Sequence, residues 1–362
     1  MNQSQDMAVS CVDRSRRREW AGSERLGQSC KWARRRVTPH LRAHAHHTPH
    51  PTLCATHSTT MLRTGLTHLF RSAGEAVDRS AAAAFRQLCR RGEFEAPTPG
   101  AVPSFVQANL VVVPVAYALD FLMFCLANPK ACPLLDVTDP HATAPREAAR
   151  VAPGSDLATD VPRYRVWRAG ELESEPRSVD ELWSNEPVAD GPLGASPLEP
   201  GADGRPLPMV GFLLGCSFSW EDELAAIGLP PAHVVAGTNV AMYETNVPNV
   251  KVGPFGGNLV VSMRPYLPAD FEAVASLTGC YPGAHGAPVG FGAPDALGIA
   301  DVSKPDFGDA VPIPHGAEPQ SALMAARIPF AITHAPGYMF VTDVLDAELK
   351  APCEPLDNLP QQ

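Results

Sequence analysis

The stretch Met209–Gly228, MVGFLLGCSFSWEDELAAIG, decides the class of fold. Its first half is apolar throughout, which predicts a buried strand. Its second half carries Ser219 and Asp222 in the spacing of a capping box and has Gly228 as a C-cap, which predicts a helix. HVVAG (His233–Gly237) then predicts another short strand. Strands that alternate with helices indicate a layered protein of mixed α and β structure.

The same alternation continues on both sides of this stretch. Strands are predicted at Asn109–Pro114 and Asn258–Tyr266, and helices at Tyr117–Pro129 and Ala269–Gly279. FAITHAPGYMFVTDV (Phe330–Val344) predicts two strands around a Pro-Gly turn. We therefore expect an α/β fold of the mixed α+β kind, with a layered sheet-and-helix main domain and a smaller two-layer subdomain.

Composition divides the chain into segments. Residues 1–60 are basic and rich in histidine, and this composition favours disorder because it buries too little apolar surface. Residues 61–80 are rich in Arg and Ser and poor in acids, which predicts a transit peptide or the lead-in to the domain. The folded domain is expected over 81–350, with 141–205 as the candidate subdomain and 351–362 as a tail.

Charge and apolar patterning exclude several functional classes. Residues 1–92 carry 16 Lys and Arg against 6 Asp and Glu, whereas the remainder carries 13 against 33. An acidic body argues against nucleic acid as the main partner. No apolar run reaches the length of a membrane span, and Val115–Ala127 predicts a buried or half-buried helix instead. No cysteine or histidine spacing indicates a metal site, and the nine cysteines are expected to be reduced.

Two places could bind a carboxylate. Cys216 and Ser217 lie where the predicted strand turns into the helix, and backbone N–H groups at a helix start attract anions. Arg264 lies at the end of the strand Asn258–Tyr266, and a guanidinium matches a carboxylate in a two-pronged geometry. A purely structural turn and a structural ion pair are the corresponding alternatives. Cys216 is also a candidate nucleophile, since a helix start lowers a thiol pKa.

Three residues are candidates for proton transfer. His285 lies in the loop GAHGAPVGFG, which is built almost entirely from small residues, and His334 ends a predicted strand in FAITHAPG. Histidine exchanges protons near neutral pH. Asp309 lies in the turn PDFGDA and is the candidate carboxylate, although turn aspartates often bind only the local backbone.

Nine segments in one order resemble the D-glutamate cyclase family, also known as hydro-lyases or YcsI-like proteins. The resemblance covers about Ala81 to Asp343. The segments are SFVQANLVVVP, FCLANPKACPLLDVTDP, TDVPRYRVW, GFLLGCSFSWE, NVAMYETNVP, VVSMRP, HGAPVGFG, LGIADVSKPDFGDAV and FAITHAPGYMFVTD. The resemblance implies a two-part α/β fold and a lyase that releases water as D-glutamate closes to 5-oxo-D-proline. It also implies a mitochondrial (matrix) location if the source is eukaryotic, and a cytoplasmic one otherwise.

The chemistry of ring closure, rather than the resemblance, suggests roles for the candidates. Arg264 and the Cys216–Ser217 turn would hold carboxylates, and His285 and His334 would transfer protons. The expected ligand is a small amino acid or carboxylic acid, no cofactor is expected, and the choice between monomer and homo-oligomer stays open. Polar contacts are expected from three residues of NVAMYETNVP: Tyr243, Thr245 and Asn246.

Two alternatives to the cyclase stay open, and one of them follows from a departure from the family. Relatives carry a stretch like PVFWACGVTPQ between the PDFGD and ITHAPG motifs, and here only Pro319-Gln320 matches its end. A catalytically inactive relative that binds a small acid is therefore one alternative. The other is a cofactor-independent amino-acid racemase that uses the paired thiols of Cys216 and Cys280.

Overall fold

A fully buried strand forms the centre of the larger sheet. The computed structural model describes residues 7–9, 77–185, 208–292, 294–307 and 320–352. In strand β2 (Phe105–Pro114) all ten residues are buried. Its β-branched run Val111–Val113 fits a strand with neighbours on both edges and both faces. The strand predicted at Asn109–Pro114 is therefore confirmed, and it begins four residues earlier.

Seven strands form this sheet, and every pairing between them is antiparallel. The order is β3-β6-β2-β10-β4-β5, and β11 pairs with β2 on the edge that β10 also occupies. The strands other than β2 are β3 (Leu134–Val137), β4 (Tyr164–Arg168), β5 (Glu171–Ser174), β6 (Met209–Gly215), β10 (Phe330–His334) and β11 (Phe340–Leu345).

Strands β10 and β11 lie end to end against β2. Ile332 of β10 is opposite Val112, and Phe340 of β11 is opposite Ala108. Between them the chain leaves β2 through a turn in which Gly337 has a φ of 82°. The two predicted strands are confirmed, and they pair with β2 rather than with each other. This break leaves His334 at the end of β10, beside the backbone of β2.

A smaller antiparallel sheet has the order β7-β8-β1-β9. Its strands are β1 (Met7–Val9), β7 (Met242–Pro248), β8 (Asn258–Pro265) and β9 (Gly290–Phe291). Six of the eight residues of β8 are buried, which confirms the apolar strand predicted there. Apart from Met7–Val9, residues 1–60 lie outside the described part of the chain, so disorder there stays a prediction.

The helices of the described residues are short. They are α1 (Ala81–Arg90), α2 (Val115–Ala127), α3 (Ala148–Val151), α4 (Asp180–Asn185), α5 (Glu221–Ala226), α6 (Ala232–Ala236), α7 (Phe271–Gly279), α8 (Gln320–Ala326) and α9 (Asp346–Leu349). None of these described helices has the length and apolar character that crossing a bilayer requires. Phe121 and Phe124 of α2 pack against Phe255, and Phe121 also contacts Phe212 of β6.

Two local predictions are wrong. HVVAG forms helix α6 rather than a strand, and Gly237 ends it with a φ of 64°. Ser219 does not cap α5, because Trp220 is the N-cap and the Ser219 hydroxyl accepts a hydrogen bond from the Gln107 backbone N–H at 3.1 Å. The Ser219 side chain therefore contacts the backbone of strand β2 instead of capping the helix. The mixed α+β class is confirmed, while the division into 81–350 and a 141–205 subdomain stays a prediction.

Candidate functional site

The chain turns sharply at the end of β6, and this turn positions the candidate site. After Gly215 the residues Ser217–Trp220 form one 3-10 turn, and α5 follows directly. A Cβ atom on Gly215 would lie 1.7 Å from the carbonyl oxygen of Gly283. Only glycine allows this approach, which brings the loop that carries His285 against the end of β6.

Arg264 lies at the centre of a buried polar cluster. Its Nη2 donates to Glu221 Oε1 at 2.7 Å and to Ser217 Oγ at 2.9 Å, and its Nε donates to the same Glu221 oxygen at 3.2 Å. The guanidinium lies 4.3 Å from the centre of the Trp220 ring, and His233 Nε2 lies 3.1 Å from Glu221 Oε1. These five residues (Ser217, Trp220, Glu221, His233 and Arg264) are called the Arg264 cluster below.

Glu221 is the anion of this cluster. Burial raises its pKa, but His233 and the Arg264 guanidinium outweigh burial, so the pKa lies below its usual range. Glu221 also begins α5, where the helix dipole favours a negative charge. The carboxylate next to the predicted anion-binding turn is therefore one of the protein's own residues. Arg264 contacts Glu221 and Ser217 through Nε and Nη2, and none of these hydrogen bonds uses its third nitrogen, Nη1.

His285 lies beside this cluster in a constrained conformation. Its φ of 70° places a non-glycine residue in the left-handed region, a local strain that is common at functional sites. Its Nδ1 lies 2.8 Å from the Lys130 carbonyl oxygen. Because a carbonyl only accepts, Nδ1 carries the hydrogen and Nε2 is the basic nitrogen.

The environment keeps His285 neutral. Burial lowers its pKa to about 4, and the positive charges of Arg264 and Lys130 act in the same direction. Hydrogen bonds to the backbone of Lys130 and Gly215 oppose this shift without cancelling it. At pH 7 the imidazole can therefore accept a proton, and its conjugate acid would release that proton readily.

A small cavity lies between Arg264 and the His285 loop. Its volume is about 20 Å³, which is room for about one water molecule. Ser262 Oγ, buried in strand β8, has no hydrogen-bond partner among the described residues. The residues that line the cavity include Trp220, Ser262, Arg264, Tyr266, Thr278 and Gly286.

His334 is connected to the same region through the backbone of β2. The Leu110 N–H donates to His334 Nδ1 at 3.1 Å, and His334 is fully buried. The neighbouring residue Asn109 donates through Nδ2 to the Gly215 carbonyl at 2.9 Å. His334 contacts Leu110 of β2, and the adjacent residue Asn109 contacts Gly215, whose backbone contacts His285. This chain of contacts connects the two histidines that are predicted to transfer protons.

Tyr243, Thr245 and Asn246 line a second place, an open groove of about 440 Å³ beside β7. The Tyr243 hydroxyl donates to the Val302 carbonyl at 2.5 Å, and the Thr245 hydroxyl donates to the Leu259 carbonyl at 2.7 Å. Burial raises the pKa of Tyr243 to about 12. The three predicted ligand-binding residues are therefore together, but they do not belong to the Arg264 cluster. We call this place the β7 groove.

Comparison with known proteins assigns the family. A profile described as D-glutamate cyclase matches residues 210–343. A protein of Rubrobacter xylanophilus is 47% identical over 276 residues, which cover 74% of this chain and 97% of that protein. Proteins of Burkholderia multivorans and Geobacillus kaustophilus are 46% and 43% identical, and the alignments cover 73% of this chain and 96% and 94% of theirs. All three are named as hydro-lyases.

The chain belongs to the D-glutamate cyclase family of hydro-lyases. This confirms the resemblance, and it supports a lyase as the class of enzyme. The three relatives named above are bacterial and do not support a mitochondrial location, which stays a prediction.

The cysteines correct one alternative. Cys280 is disulfide-bonded, so the expectation that all nine cysteines are reduced is wrong for this residue. It is also not a thiol that could act with Cys216 in a racemase. Cys216 itself is buried and lies outside any disulfide. Asp309, the third catalytic candidate, lies outside the described residues.

Sequence reasoning missed Glu221 and His233 as members of the cluster. Glu221 ends the segment GFLLGCSFSWE, but its pairing with Arg264 joins residues 43 positions apart. His233 was hidden because HVVAG predicted a strand, in which a lone histidine carries no signal. The one available clue was an acidic residue at the start of a predicted helix, where the helix dipole favours a negative charge.

Proposed function

We propose that this chain is a hydro-lyase that closes D-glutamate to 5-oxo-D-proline with release of water. Family membership supports the reaction class. The observation that carries the assignment of the site is the neutral, buried His285 beside the Arg264 cluster. A proton acceptor and a carboxylate-binding cation are what this reaction requires of a protein.

The reaction has a simple balance of bonds. The α-amino nitrogen attacks the γ-carboxyl carbon, a C–N bond forms, and a C–O bond breaks as water leaves. The attacking amine must lose protons, and the departing oxygen must gain them. A single imidazole can do both in turn, as base and then as acid. His285 Nε2 is the nitrogen that we assign to this transfer.

The cluster would supply orientation and charge stabilisation. Arg264 is the cation that we assign to a substrate carboxylate, with the Cys216–Ser217 turn as a second polar contact. Ser217 accepts a hydrogen bond from Arg264 Nη2, so its own hydroxyl hydrogen can be donated elsewhere. The Leu110 N–H donates to His334 Nδ1, so His334 would help to hold β2 in place. The adjacent residue Asn109 donates through its side-chain Nδ2 to the carbonyl of Gly215, whose backbone contacts His285.

The charge of the β7 groove disfavours it as the site for a dicarboxylate. Glu244, Asp301 and Asp306 line it together with Lys304, and Lys304 already contacts Asp301 Oδ2 at 2.7 Å. An anionic substrate would meet an excess of negative charge there. We therefore place the substrate at the Arg264 cluster, with Tyr243, Thr245 and Asn246 as the less favoured contacts.

Product formation from each isomer tests the proposal. The full chain is incubated with D-glutamate or L-glutamate, and 5-oxoproline is measured by mass spectrometry. We expect product from the D-isomer and none from the L-isomer. A folded protein that forms no product from either isomer would contradict the proposed reaction.

A non-catalytic acid-binding protein is the second candidate. The observation that favours it is the missing family segment, because only Pro319-Gln320 matches the end of the stretch that relatives carry between the PDFGD and ITHAPG motifs. This candidate predicts that D-glutamate raises the unfolding temperature while no 5-oxoproline forms. Stabilisation together with turnover would exclude it.

A further inference from the structure

Asp346 is a buried acid that the reaction as described above does not use. It begins α9 directly after β11, and only 6% of it is exposed. Its backbone N–H donates to the Ser104 carbonyl at 3.0 Å. Its Oδ1 has no hydrogen-bond partner among the described residues. A buried carboxyl oxygen in that situation requires either a proton or a donor.

Asp346 lines a small cavity together with Glu221 and Gln107. The cavity has a volume of about 10 Å³, close to the space of one water molecule. Glu221 Oε2 and Gln107 Oε1 are also buried, and neither has a partner among the described residues. The three unsatisfied atoms are all acceptors. A single water has two hydrogens to donate, so one acceptor more must be satisfied by another hydrogen.

The charges around Asp346 are predominantly negative. Burial raises the pKa of Asp346 well above its usual range, and the negative charges of Asp222, Glu223 and Glu221, which form the first turn of α5, raise it further. Two cations compensate part of this charge. Arg264 pairs with Glu221, and Lys350 Nζ contacts Glu223 Oε2 at 2.6 Å.

The remaining groups near this acid do not add positive charge at its carboxyl. Asp222 Oδ2 accepts from the Ser104 backbone N–H at 2.6 Å, and Tyr281 lies close enough to Asp346 for their charges to interact. Glu348 of α9 accepts from the Leu345 N–H and from Arg79. Ionisation of Asp346 would therefore add a further uncompensated charge to a buried acidic group.

We propose that Asp346 is held as a carboxylic acid and shares its proton with Glu221 across this cavity. In one state Asp346 carries the proton and Glu221 is the carboxylate that holds Arg264. In the other state the proton has moved, directly or through one water, from Asp346 Oδ1 to Glu221 Oε2. Negative charge then lies on Asp346, and the total charge of the pair is unchanged.

This transfer would solve a difficulty of the proposed reaction, on which its catalytic consequence rests. Arg264 is engaged by Glu221 and cannot neutralise a substrate carboxylate at the same time. Once Glu221 is protonated, the guanidinium lacks its counter-charge and can bind the substrate instead. Asp346 is thus a positioning residue, because it acts on the substrate only through Glu221 and Arg264.

Infrared spectroscopy of the full chain tests the proton without any substrate. A protonated carboxyl has a carbonyl stretch that ionised carboxylates lack. We expect this band at pH 7 in the wild type, its loss in Asp346→Asn, and its retention in Asp343→Asn. The last variant is the matched control, because Asp343 on the neighbouring strand is paired with Arg86. No band at pH 7, or a band that survives in Asp346→Asn, would overturn the proposal.

A bound cation is the competing way to satisfy three acceptors. Unfolding temperatures are compared in potassium, ammonium and tetramethylammonium chloride at equal ionic strength. We expect no difference, because the proton already fills this role. If potassium or ammonium stabilises the wild type and Asp346→Asn abolishes this effect, a bound cation rather than a shared proton satisfies the three acceptors, and the proposal is overturned.

Kinetics test the consequence for substrate binding. Asp346→Asn has no proton to give, so we expect the KM for D-glutamate to rise roughly tenfold or more. Glu221→Gln imitates the protonated state, and the double variant should recover most of the lost affinity. An unchanged KM in Asp346→Asn contradicts the positioning role. If the wild type forms no product, the proposed reaction fails while the infrared result still decides the state of Asp346.

Discussion

The Arg264 cluster and the β7 groove differ in their reactive groups and in the space available for a ligand. The cluster holds a guanidinium, a carboxylate and a nearby neutral imidazole, but the cavity beside it has a volume of only about 20 Å³. The groove offers about 440 Å³, but its buried hydroxyls already donate to backbone carbonyls. Reactive groups and space are therefore found in different places.

This difference shows why cavity size alone is a poor guide to the site. Polar side chains that bind their own backbone stabilise a strand pair and have little left for a ligand. Charged side chains held in a buried cluster cost free energy to assemble, and they are retained where their charge is used. We therefore expect variants in the cluster to affect both folding and turnover, and variants in the groove to affect folding alone.

Removal of the Arg264 guanidinium should have the largest effect on stability. Arg264→Leu leaves Glu221 buried without its main partner, and we expect a loss of about 3–5 kcal/mol in the free energy of unfolding. Urea denaturation measures this loss. The double variant Arg264→Leu/Glu221→Leu should be less destabilised than the single variant. Equal or greater destabilisation of the double variant would mean that the charge pair is not the source of the effect.

Replacement of His285 should have the largest effect on turnover with little change in fold. His285→Asn keeps a hydrogen-bond donor for the Lys130 carbonyl but removes the basic nitrogen. We expect kcat for D-glutamate to fall by about 10²–10⁴-fold. The exposed histidine His141 provides the matched control, since His141→Asn should retain full activity. A wild-type kcat in His285→Asn would exclude this residue as the proton acceptor.

The pH dependence of stability should also report on His285. Its pKa is about 4 in the folded protein against 6.5 for an ordinary histidine, so the unfolded chain binds more proton between these values. The free energy of unfolding should fall by about 3 kcal/mol as pH drops from 6.5 to 4, with no contribution from this residue above that range. Denaturation of wild type and His285→Asn at several pH values measures the difference. Parallel pH profiles would show that His285 does not titrate as described.

Tyr243→Phe should have a smaller effect on stability and turnover than the changes described above. It removes the hydrogen bond to Val302, so the expected loss of stability is about 1 kcal/mol. The KM for D-glutamate should stay within about twofold of wild type if the substrate binds at the Arg264 cluster. A clear rise in KM at unchanged stability would move the substrate to the β7 groove.

The sequence predicts the elements better than their arrangement. Apolar runs such as Asn109–Pro114 and the Gly-rich loop around His285 carry local signals, and both positions are correct. The antiparallel order and the end-to-end placement of β10 and β11 depend on pairings between distant residues, which local patterns do not contain. HVVAG was mispredicted because its two valines favour a strand locally, whereas Pro231 and Gly237 at its ends delimit a short helix.

For the same reason, the sequence predicts individual residues of the candidate site but not the contacts between them. Arg264, Ser217 and His285 are each marked by unusual local sequence, so they could be named one at a time. The contact between Arg264 and Glu221, the burial that keeps His285 neutral, and the shared cavity of Glu221 and Asp346 exist only after the chain folds. The separation of Tyr243 from Arg264 likewise follows from the sheet and not from the motif.

A crystal structure of the His285→Asn variant with D-glutamate would test the placement of the site most directly. This variant should bind the substrate without converting it. Our placement of the substrate predicts a glutamate carboxylate within hydrogen-bonding distance of Arg264 or of the Cys216–Ser217 turn. Glutamate bound in the β7 groove against Tyr243 and Asn246, with the Arg264–Glu221 pair undisturbed, would contradict it.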